Sequence, residues 1–303
     1  MNIAVLDIGG TAIKSGIWTG KALEGQREQA TYAAEGGARL MQRVKKILRE
    51  YGDFQAIGIS TAGQVNTRDG SIFYANDNIP GYTGTKVKGL LEEEFHVPTA
   101  VENDVNAAAL GELHYGAAKG LSDFLCLTYG TGVGGAIVIR GGIYYGSSFS
   151  AGSFGGIVVH PEYLGKEEYS GCYEKFASVT ALINMARKID STLDNGKKIF
   201  AAIDRPEVKK AVDQWIDEVT YGLVSLAHVF NPGDIVLGGG VMAQQYVIGE
   251  IQKRLPGRIS PGVRRMHVRQ ALLGNQAGLM GAVHLAEKLA EQRKNAVTCR
   301  GAG

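Results

Sequence analysis

Apolar residues along this chain form short continuous runs that alternate with stretches of helical spacing. The runs predict strands at residues 2–7, 12–18, 56–60, 97–101, 123–128, 136–139 and 234–237. Apolar positions three and four apart predict helices at residues 38–51, 107–116, 204–230 and 277–293. Because strands alternate with helices and some strands are joined by hairpins, the pattern predicts an α/β fold with mixed sheets.

One local arrangement occurs twice in the sequence. Residues 2–18 and residues 123–139 each read as a strand, a glycine turn that contains threonine, and a returning strand. Two copies of one unit predict a duplicated fold with two domains. We expect a small first domain at residues 1–117 plus 276–296, because the last helix needs a partner for its apolar face, and a large second domain at 118–275. Residues 297–303 have no pattern, and we expect them to be disordered.

Composition excludes several classes of protein. The chain has 303 residues, of which 45% are hydrophobic and 20% charged, and this is typical of a globular protein. No apolar run approaches the 18 residues of a membrane span, and a net charge of +2 indicates no nucleic-acid or membrane partner. Three cysteines are too few for a disulfide framework, and Cys126, inside an apolar run, is expected to be buried. We therefore expect a cytoplasmic protein.

Glycine is in excess, at 43 residues, which is about twice the usual share of roughly 7%. Gly130, Gly132 and Gly135 match the letters of the dinucleotide-binding fingerprint, but a strand follows them where that motif needs a helix. No P-loop motif is present either. The exposed amides and threonine hydroxyls of the two glycine turns could instead cradle phosphate oxygens, and an ordinary hairpin turn is the alternative.

The first glycine turn carries additional polar groups. Asp7 stands at the end of the preceding strand, and Gly9, Gly10 and Thr11 form the turn. A carboxylate, a hydroxyl and open amides together favour a magnesium–phosphate partner over a bare turn. Lys14 follows the turn, and we expect it to lie outside the site.

Four segments together resemble the ROK family. They are DIGGT at 7–11, ENDVNA at 102–107, GTGVGG at 130–135 and LGGG at 237–240, in the order and spacing of that family, and the resemblance covers residues 2 to about 290. The ROK family groups sugar kinases of the actin-like ATPase superfamily with related sugar-responsive repressors. The resemblance implies two ribonuclease H-like domains with mixed sheets around a cleft that holds sugar, ATP and Mg²⁺, and it implies a homodimer.

The resemblance also implies roles for individual residues. Asp104 corresponds to the catalytic base, and Asp7 lies near the metal. The sugar ligands implied are Gly63, Asn78, Asn103, Asp104 and Glu174; the first phosphate loop is Asp7, Gly9, Gly10 and Thr11, the second is Thr131 and Gly132, and the adenosine loop is Gly239 and Gly240. A sugar hydroxyl is a poor nucleophile, so a carboxylate must accept its proton during phosphoryl transfer. The alternatives are a helix N-cap for Asp104 and a solvated helix-start carboxylate for Glu174.

Two departures from the family pattern concern sugar and zinc. Ser153 stands where many members carry a glutamate that holds two sugar hydroxyls. Of the family's zinc ribbon only Cys172 remains, with Gly165 and Glu167 at other cysteine positions. His160 is nearby, but one histidine and one cysteine cannot fill a tetrahedral zinc site, so we expect no zinc. In this respect the chain resembles the zinc-free subgroup that includes β-glucoside kinases.

The sequence thus predicts an ATP- and Mg²⁺-dependent sugar kinase that phosphorylates O6 of a hexose or β-glucoside. One alternative is a sugar-binding or regulatory ROK protein with little or no turnover, which the serine at position 153 motivates. Another is a repressor of the same family. Such repressors carry an N-terminal helix-turn-helix, and since this sequence starts at the phosphate-loop strand, we expect the kinase.

Overall fold

The structure, a computed structural model, describes residues 1–167 and 169–301, with side chains described as far as residue 295. The first ten elements are β1 (Ile3–Ile8), β2 (Ala12–Trp18), β3 (Leu23–Ala30), α1 (Gly36–Arg49), β4 (Ala56–Thr61), β5 (Gln64–Asn66), β6 (Ser71–Tyr74), α2 (Val87–Phe95), β7 (Thr99–Asn103) and α3 (Asp104–Tyr115). The others are β8 (Phe124–Tyr129), β9 (Val133–Ile139), β10 (Gly142–Ile143), α4 (Tyr173–Ala177), α5 (Val179–Arg187), α6 (Gly196–Ala201), α7 (Pro206–Phe230), β11 (Asp234–Gly238), α8 (Gln245–Arg254), β12 (His267–Gln270) and α9 (Ala277–Gly301).

The chain forms two compact units. The first unit contains Met1–Tyr115, Tyr145–Ser150 and the chain from Gln276 onward, and the second contains Gly116–Tyr144 and Ala151–Asn275. The segment Tyr145–Ser150 therefore belongs to the first unit, whereas the sequence-based boundary assigned it to the second. Disorder was expected at residues 297–303, whereas α9 continues to Gly301. Residues 302 and 303 lie outside the described residues.

Each unit is built on a five-stranded mixed sheet, and the two sheets share one topology. The strand orders are β3-β2-β1-β4-β7 and β10-β9-β8-β11-β12. In both sheets the first three strands are antiparallel neighbours, and the last two run parallel to the central strand. This repetition confirms the predicted duplicated α/β fold.

Parallel pairing brings the candidate residues to one edge of each sheet. Strands β1, β4 and β7 end at the same edge, and their register pairs Asp7 with Ser60 and Thr61 with Asn103. In the second sheet β8 and β11 end side by side, just before the turn at Gly130 and the glycines that follow Gly238. The carboxyl ends of parallel strands are where α/β sheets place ligand-binding groups.

Helix α9 covers the first sheet at very short range. A Cβ atom on Gly58 of β4 would lie 2.3 Å from the Ala282 carbonyl oxygen, and one on Gly281 would lie 1.8 Å from the Ala107 carbonyl oxygen. Both positions therefore admit only glycine, and α9 contacts the backbone of β4 and α3 directly. The apolar residues of β1 and β4 are fully buried, and five of them lie in one cluster with apolar residues of α1.

Helix α7 organises the core of the second unit. Its Trp215 is fully buried, and the indole N–H donates to the carbonyl oxygens of Ala177 and Ser178, each at 3.0 Å. The helix ends at Asn231 in the left-handed conformation, as the Asn-Pro-Gly sequence predicts. Within residues 1–167 and 169–301, no helix has the combined length and apolarity that crossing a bilayer requires.

Candidate active site

The junction of β7 and α3 places an asparagine and an aspartate side by side. Asn103 Oδ1 accepts from the amides of Val105 at 3.0 Å and Asn106 at 3.1 Å, so Asn103 is the N-cap of α3. Its Nδ2 donates to Asp104 Oδ1 at 2.8 Å and to the Gly63 carbonyl oxygen at 2.9 Å. The capping role considered for Asp104 therefore belongs to Asn103, and Asp104 is the first helical residue.

The carboxylate of Asp104 has an unusual electrostatic environment. Burial, followed by the negative charge of Asp7, raises the pKa of Asp104 to about 6. Burial also raises the pKa of Asp7, although the Ser60 hydroxyl donates to Asp7 Oδ1 at 2.6 Å and Lys14 adds a favourable charge. Lys14 lies directly across from Asp7 on β2, and so it is closer to the site than expected.

Two carboxylates that repel each other suit a divalent cation. Mg²⁺ is commonly held by one or two carboxylates together with substrate phosphates. Among the described residues, no group of three or more His, Cys, Asp or Glu side chains forms a cage for a metal ion. Asp7 thus fits a Mg²⁺ ion that phosphate oxygens would also coordinate, and the two carboxylates do not fit a metal site made only of protein ligands.

The first glycine turn is held by a residue that sequence reasoning missed. The hydroxyl of Thr31 donates to the Gly9 carbonyl oxygen at 2.7 Å, and its amide donates to the Thr11 carbonyl oxygen at 2.9 Å. Thr31 is fully buried. The amides of Gly10 and Thr11 donate no hydrogen bond within the described part of the chain. The turn therefore has the carbonyl groups of Gly9 and Thr11 engaged and two amides open, as an anion site requires.

The second glycine turn repeats this arrangement with different residues. From α5, the Val179 amide donates to the Gly130 carbonyl oxygen and the Thr180 hydroxyl donates to the Thr131 carbonyl oxygen, each at 2.9 Å. The amides of Thr131 and Gly132 make no hydrogen bond as donors to any residue that the structure describes. Both turns thus present open amides. In both, the hydroxyl of a threonine from elsewhere in the chain donates a hydrogen bond to a carbonyl oxygen of the turn.

Glu174 lies against the second turn. It stands in the first turn of α4 and is partly buried. A Cβ atom on Gly132 would lie 2.7 Å from Glu174 Oε2, and one on Gly155 would lie 2.9 Å from the same atom. The glycines at these two positions therefore make room for the carboxylate, which packs against the turn and is not a solvated helix-start residue.

Two further glycines follow β11, beside the second turn. Gly239 has a φ of +106°, and a Cβ atom there would lie 2.1 Å from the Tyr129 carbonyl oxygen, so only glycine fits. Gly240 faces open space. The candidate adenosine loop is thereby placed next to the turn that carries Thr131.

Asn78 makes no hydrogen bond to the junction within the described part of the chain. It is exposed, in a turn where its amide donates to Asn76 Oδ1 at 3.3 Å. Gly63, by contrast, has a φ of +95°, and its carbonyl oxygen accepts from Asn103. Of the predicted sugar ligands, three form a hydrogen-bonded group at the junction, namely Gly63, Asn103 and Asp104. The side chain of Asn78 is exposed, and Glu174 belongs to the second unit.

The region of the family's zinc ribbon contains a histidine held by carboxylates. His160 Nδ1 lies 2.9 Å from Glu162 Oε1, and its Nε2 lies 2.8 Å from Glu218 Oε2. Burial alone would lower the pKa of His160, but the hydrogen bonds with both glutamates raise it. Both ring nitrogens are thus engaged with carboxylates. Cys172 is buried, and its backbone forms an isolated antiparallel β-bridge with Val158. The absence of zinc stays a prediction.

A family model, curated relatives and solved structures each match nearly the whole of this chain. The model of the ROK family matches residues 3–289. A β-glucoside kinase from Listeria innocua is 33% identical over 295 residues, which cover 94% of this chain and 97% of that protein. The crystal structure of a ROK family glucokinase from Streptomyces griseus in complex with glucose and AMPPNP has a TM-score of 0.82 at 29% identity, covering 95% of this chain and all of that one. The crystal structure of a ROK hexokinase from Thermus thermophilus has a TM-score of 0.76 at 33% sequence identity, covering 96% of this chain and 100% of that one.

Proposed function

The chain belongs to the ROK family and is a sugar kinase, and we propose that it transfers the γ-phosphoryl group of ATP to O6 of a hexose or β-glucoside with Asp104 as the general base. The observation that carries this proposal is the position of Asp104. Its carboxylate follows a capping asparagine, faces Asp7, and has a pKa raised to about 6 by burial and by that neighbour. A base is most effective when its pKa lies near the working pH.

Asp104 would act through one of its two carboxylate oxygens. Oδ1 is occupied, since it accepts from Asn103 Nδ2 and from the Val105 amide. Oδ2 accepts neither of these hydrogen bonds and is the oxygen that we propose for the sugar hydroxyl. The proton of that hydroxyl passes to Oδ2 while the hydroxyl oxygen attacks the phosphorus atom and ADP leaves.

Asn103 would contribute to sugar binding mainly by holding its neighbours. Both hydrogens of its Nδ2 are used, one on Asp104 and one on the Gly63 carbonyl oxygen. It thereby sets the direction of the base and the position of the loop at Gly63. Gly63, Asn78 and Glu174 complete the sugar ligands that we propose.

Both glycine turns would bind phosphate oxygens through their amides. The amides of Gly10 and Thr11 in one turn, and of Thr131 and Gly132 in the other, are the available donors. Mg²⁺, when bound with ATP, supplies positive charge that neutralises the phosphates, and Asp7 is the carboxylate we propose for it. Phosphoryl transfer depends chiefly on such positioning and electrostatic stabilisation. Gly239 and Gly240 are proposed for the adenosine.

Ser153 favours a substituted sugar over free glucose. A serine cannot replace a carboxylate that accepts two hydroxyl hydrogen bonds, each worth about 1.5–3 kcal/mol. We therefore propose weak use of free glucose and tolerance of a substituent near the anomeric carbon. The similarity to a β-glucoside kinase supports this choice of substrate class.

The experiment that tests the proposal measures ADP formation with Mg²⁺, ATP and a panel of hexoses and β-glucosides, with the phosphorylated carbon identified by NMR. We expect turnover with a β-glucoside and phosphate on O6. Calorimetric titration with the same sugars provides a second measurement. Tight sugar binding without ADP formation from any sugar would favour the regulatory alternative. The absence of both sugar binding and turnover would refute the proposal.

A further inference from the structure

Glu102 is a buried carboxylate that the proposed reaction does not use. Only 1% of its surface is exposed. Its Oε1 accepts from the Asn103 amide at 2.9 Å and from Asn106 Nδ2 at 3.1 Å, and its Oε2 accepts from the Tyr145 hydroxyl at 2.7 Å. Burial raises the pKa of Glu102, against the effect of these hydrogen bonds. A buried carboxylate is tolerated only when such donors satisfy it.

Tyr145 lies on a segment with an unusual course. The chain leaves the second unit after β10, contributes Tyr145–Ser150 to the first unit, and then re-enters the second unit. Several contacts hold the segment in the first unit, and one of them places the Arg68 guanidinium 5.9 Å from the centroid of the Phe149 ring. Tyr145 bonds to Glu102, and Phe149 packs edge-on against Phe73 of β6, with ring centroids 5.7 Å apart. The next residues along the chain lead to Ser153, where the family carries a sugar ligand.

We propose that Glu102 and Tyr145 are positioning residues for Asp104, and that their hydrogen bond couples the segment Tyr145–Ser150 to the β7–α3 junction. This inference rests on the proposed function of Asp104. The coupling runs through one peptide group, because Glu102 Oε1 holds the amide of Asn103. Asn103 in turn caps α3 and donates to Asp104 Oδ1. Neither Glu102 nor Tyr145 needs to touch the substrate.

A role in stability alone leads to a different expectation. If the Glu102–Tyr145 pair only anchored the segment, its loss would lower the melting temperature and leave the turnover of the folded enzyme unchanged. If the pair positions Asp104, its loss lowers kcat, because the base is misaligned. The KM for ATP changes little in that case, because the open amides of the phosphate turns are not bonded to either residue. The split between kcat and KM therefore separates the two roles.

Tyr145→Phe is the test variant, since it keeps the ring and removes only the hydroxyl. We expect kcat to fall about tenfold, as the loss of one hydrogen bond to a charged group allows, with the KM for ATP within twofold of wild type. Tyr144→Phe is the matched control: Tyr144 is adjacent and 52% exposed, and its hydroxyl makes no hydrogen bond to a described residue. It should keep wild-type kinetics.

Substitutions at Glu102 supply a second, independent variant set. Glu102→Gln keeps an acceptor for Asn103 and Asn106 and places a donor toward Tyr145, so it should retain kcat within about threefold. Glu102→Ala removes the acceptor from three donors and should lose at least tenfold. Amide hydrogen exchange at Val105 and Asn106 gives a readout without substrate, and we expect faster exchange in Tyr145→Phe and Glu102→Ala.

The outcomes separate this inference from the proposed function. Wild-type protein that turns over no sugar would refute the proposed function, and the exchange rates would then decide the coupling alone. Wild-type kcat and wild-type exchange in Tyr145→Phe would overturn the inference while the kinase assignment stood. A loss in Glu102→Gln as large as in Glu102→Ala would also overturn it, because the acceptor geometry would then not be the cause.

Discussion

Replacing the proposed base should make the protein inactive and more stable. The Asp104 side chain is partly buried and lies close to the carboxylate of Asp7, so its ionised form is unfavourable in the folded protein. Asp104→Asn removes the charge but keeps the size of the side chain. It also keeps an oxygen that can accept from Asn103 and Val105, as Oδ1 does in the wild type. The variant therefore relieves the repulsion without losing the local hydrogen bonds.

The size of the effect follows from the pKa of Asp104. A change from the ordinary 3.8 to about 6 corresponds to about 3 kcal/mol as an upper limit, at about 1.36 kcal/mol per pKa unit. A raised pKa means that the folded state binds the proton more tightly. The favourable contribution of wild-type Asp104 to the free energy of unfolding is thus fully present below about pH 4 and is lost as the pH rises through 6. The stability of Asp104→Asn relative to wild type should therefore increase over that pH range and stay constant above about pH 7.

The assay is urea denaturation of both proteins at pH 4, 6 and 8, together with kcat at pH 8. We expect up to about 3 kcal/mol of added stability at pH 8, little difference at pH 4, and a kcat lower by about 10²–10⁴. Asp53→Asn is the matched control, because Asp53 is exposed and its carboxylate has no hydrogen bond to a described residue. Equal stability of the Asp104 variant and wild type at pH 8 would refute the electrostatic argument. Wild-type turnover in the variant would remove Asp104 as the base.

The remaining predictions concern the pH dependence of the base and the two nucleotide loops. The pKa of Asp104, followed by NMR titration, should fall in Asp7→Asn because an anion that raises it is gone; an unchanged pKa would contradict their coupling. Thr31→Val should raise the KM for ATP about two- to tenfold, since one hydrogen bond of roughly 0.5–1.5 kcal/mol is lost; an unchanged KM would show that the first turn needs no support. Gly239→Ala should lower the melting temperature, because its Cβ would lie 2.1 Å from a backbone oxygen of β8, whereas Gly240→Ala meets open space and should melt as wild type.

The central strands and the duplication could be predicted because their physical cause is local. Strands β1, β4 and β8 are buried, and such strands read as continuous apolar runs. The edge strand β3 could not be predicted in this way. Its residues, LEGQREQA, are polar and mostly exposed, and its pairing with β2 alone determines its conformation. Edge strands of this kind carry little hydrophobic pattern.

The site shows the same division between local and distant causes. The glycine turns and the Asn103–Asp104 pair are visible in the sequence because each lies within a few residues. The capping alternative considered for Asp104 was placed one residue too late, since a helix boundary is the least certain feature of a pattern. Thr31 and Tyr145 were missed because they act on residues 20 to 43 positions away, and only the folded sheet brings these together.

The close packing of α9 has a consequence for the synthesis of this protein. A ribosome makes β1 to β7 first and α9 last among the elements, with the whole second unit in between. Until α9 is made, the backbone of β4 and α3 that it contacts through Gly58 and Gly281 has no cover. The second unit can therefore complete its fold before α9 is made, whereas the first unit cannot. A nascent chain stopped before residue 277 would expose an apolar sheet face, and we expect chaperones to hold it until α9 has been made.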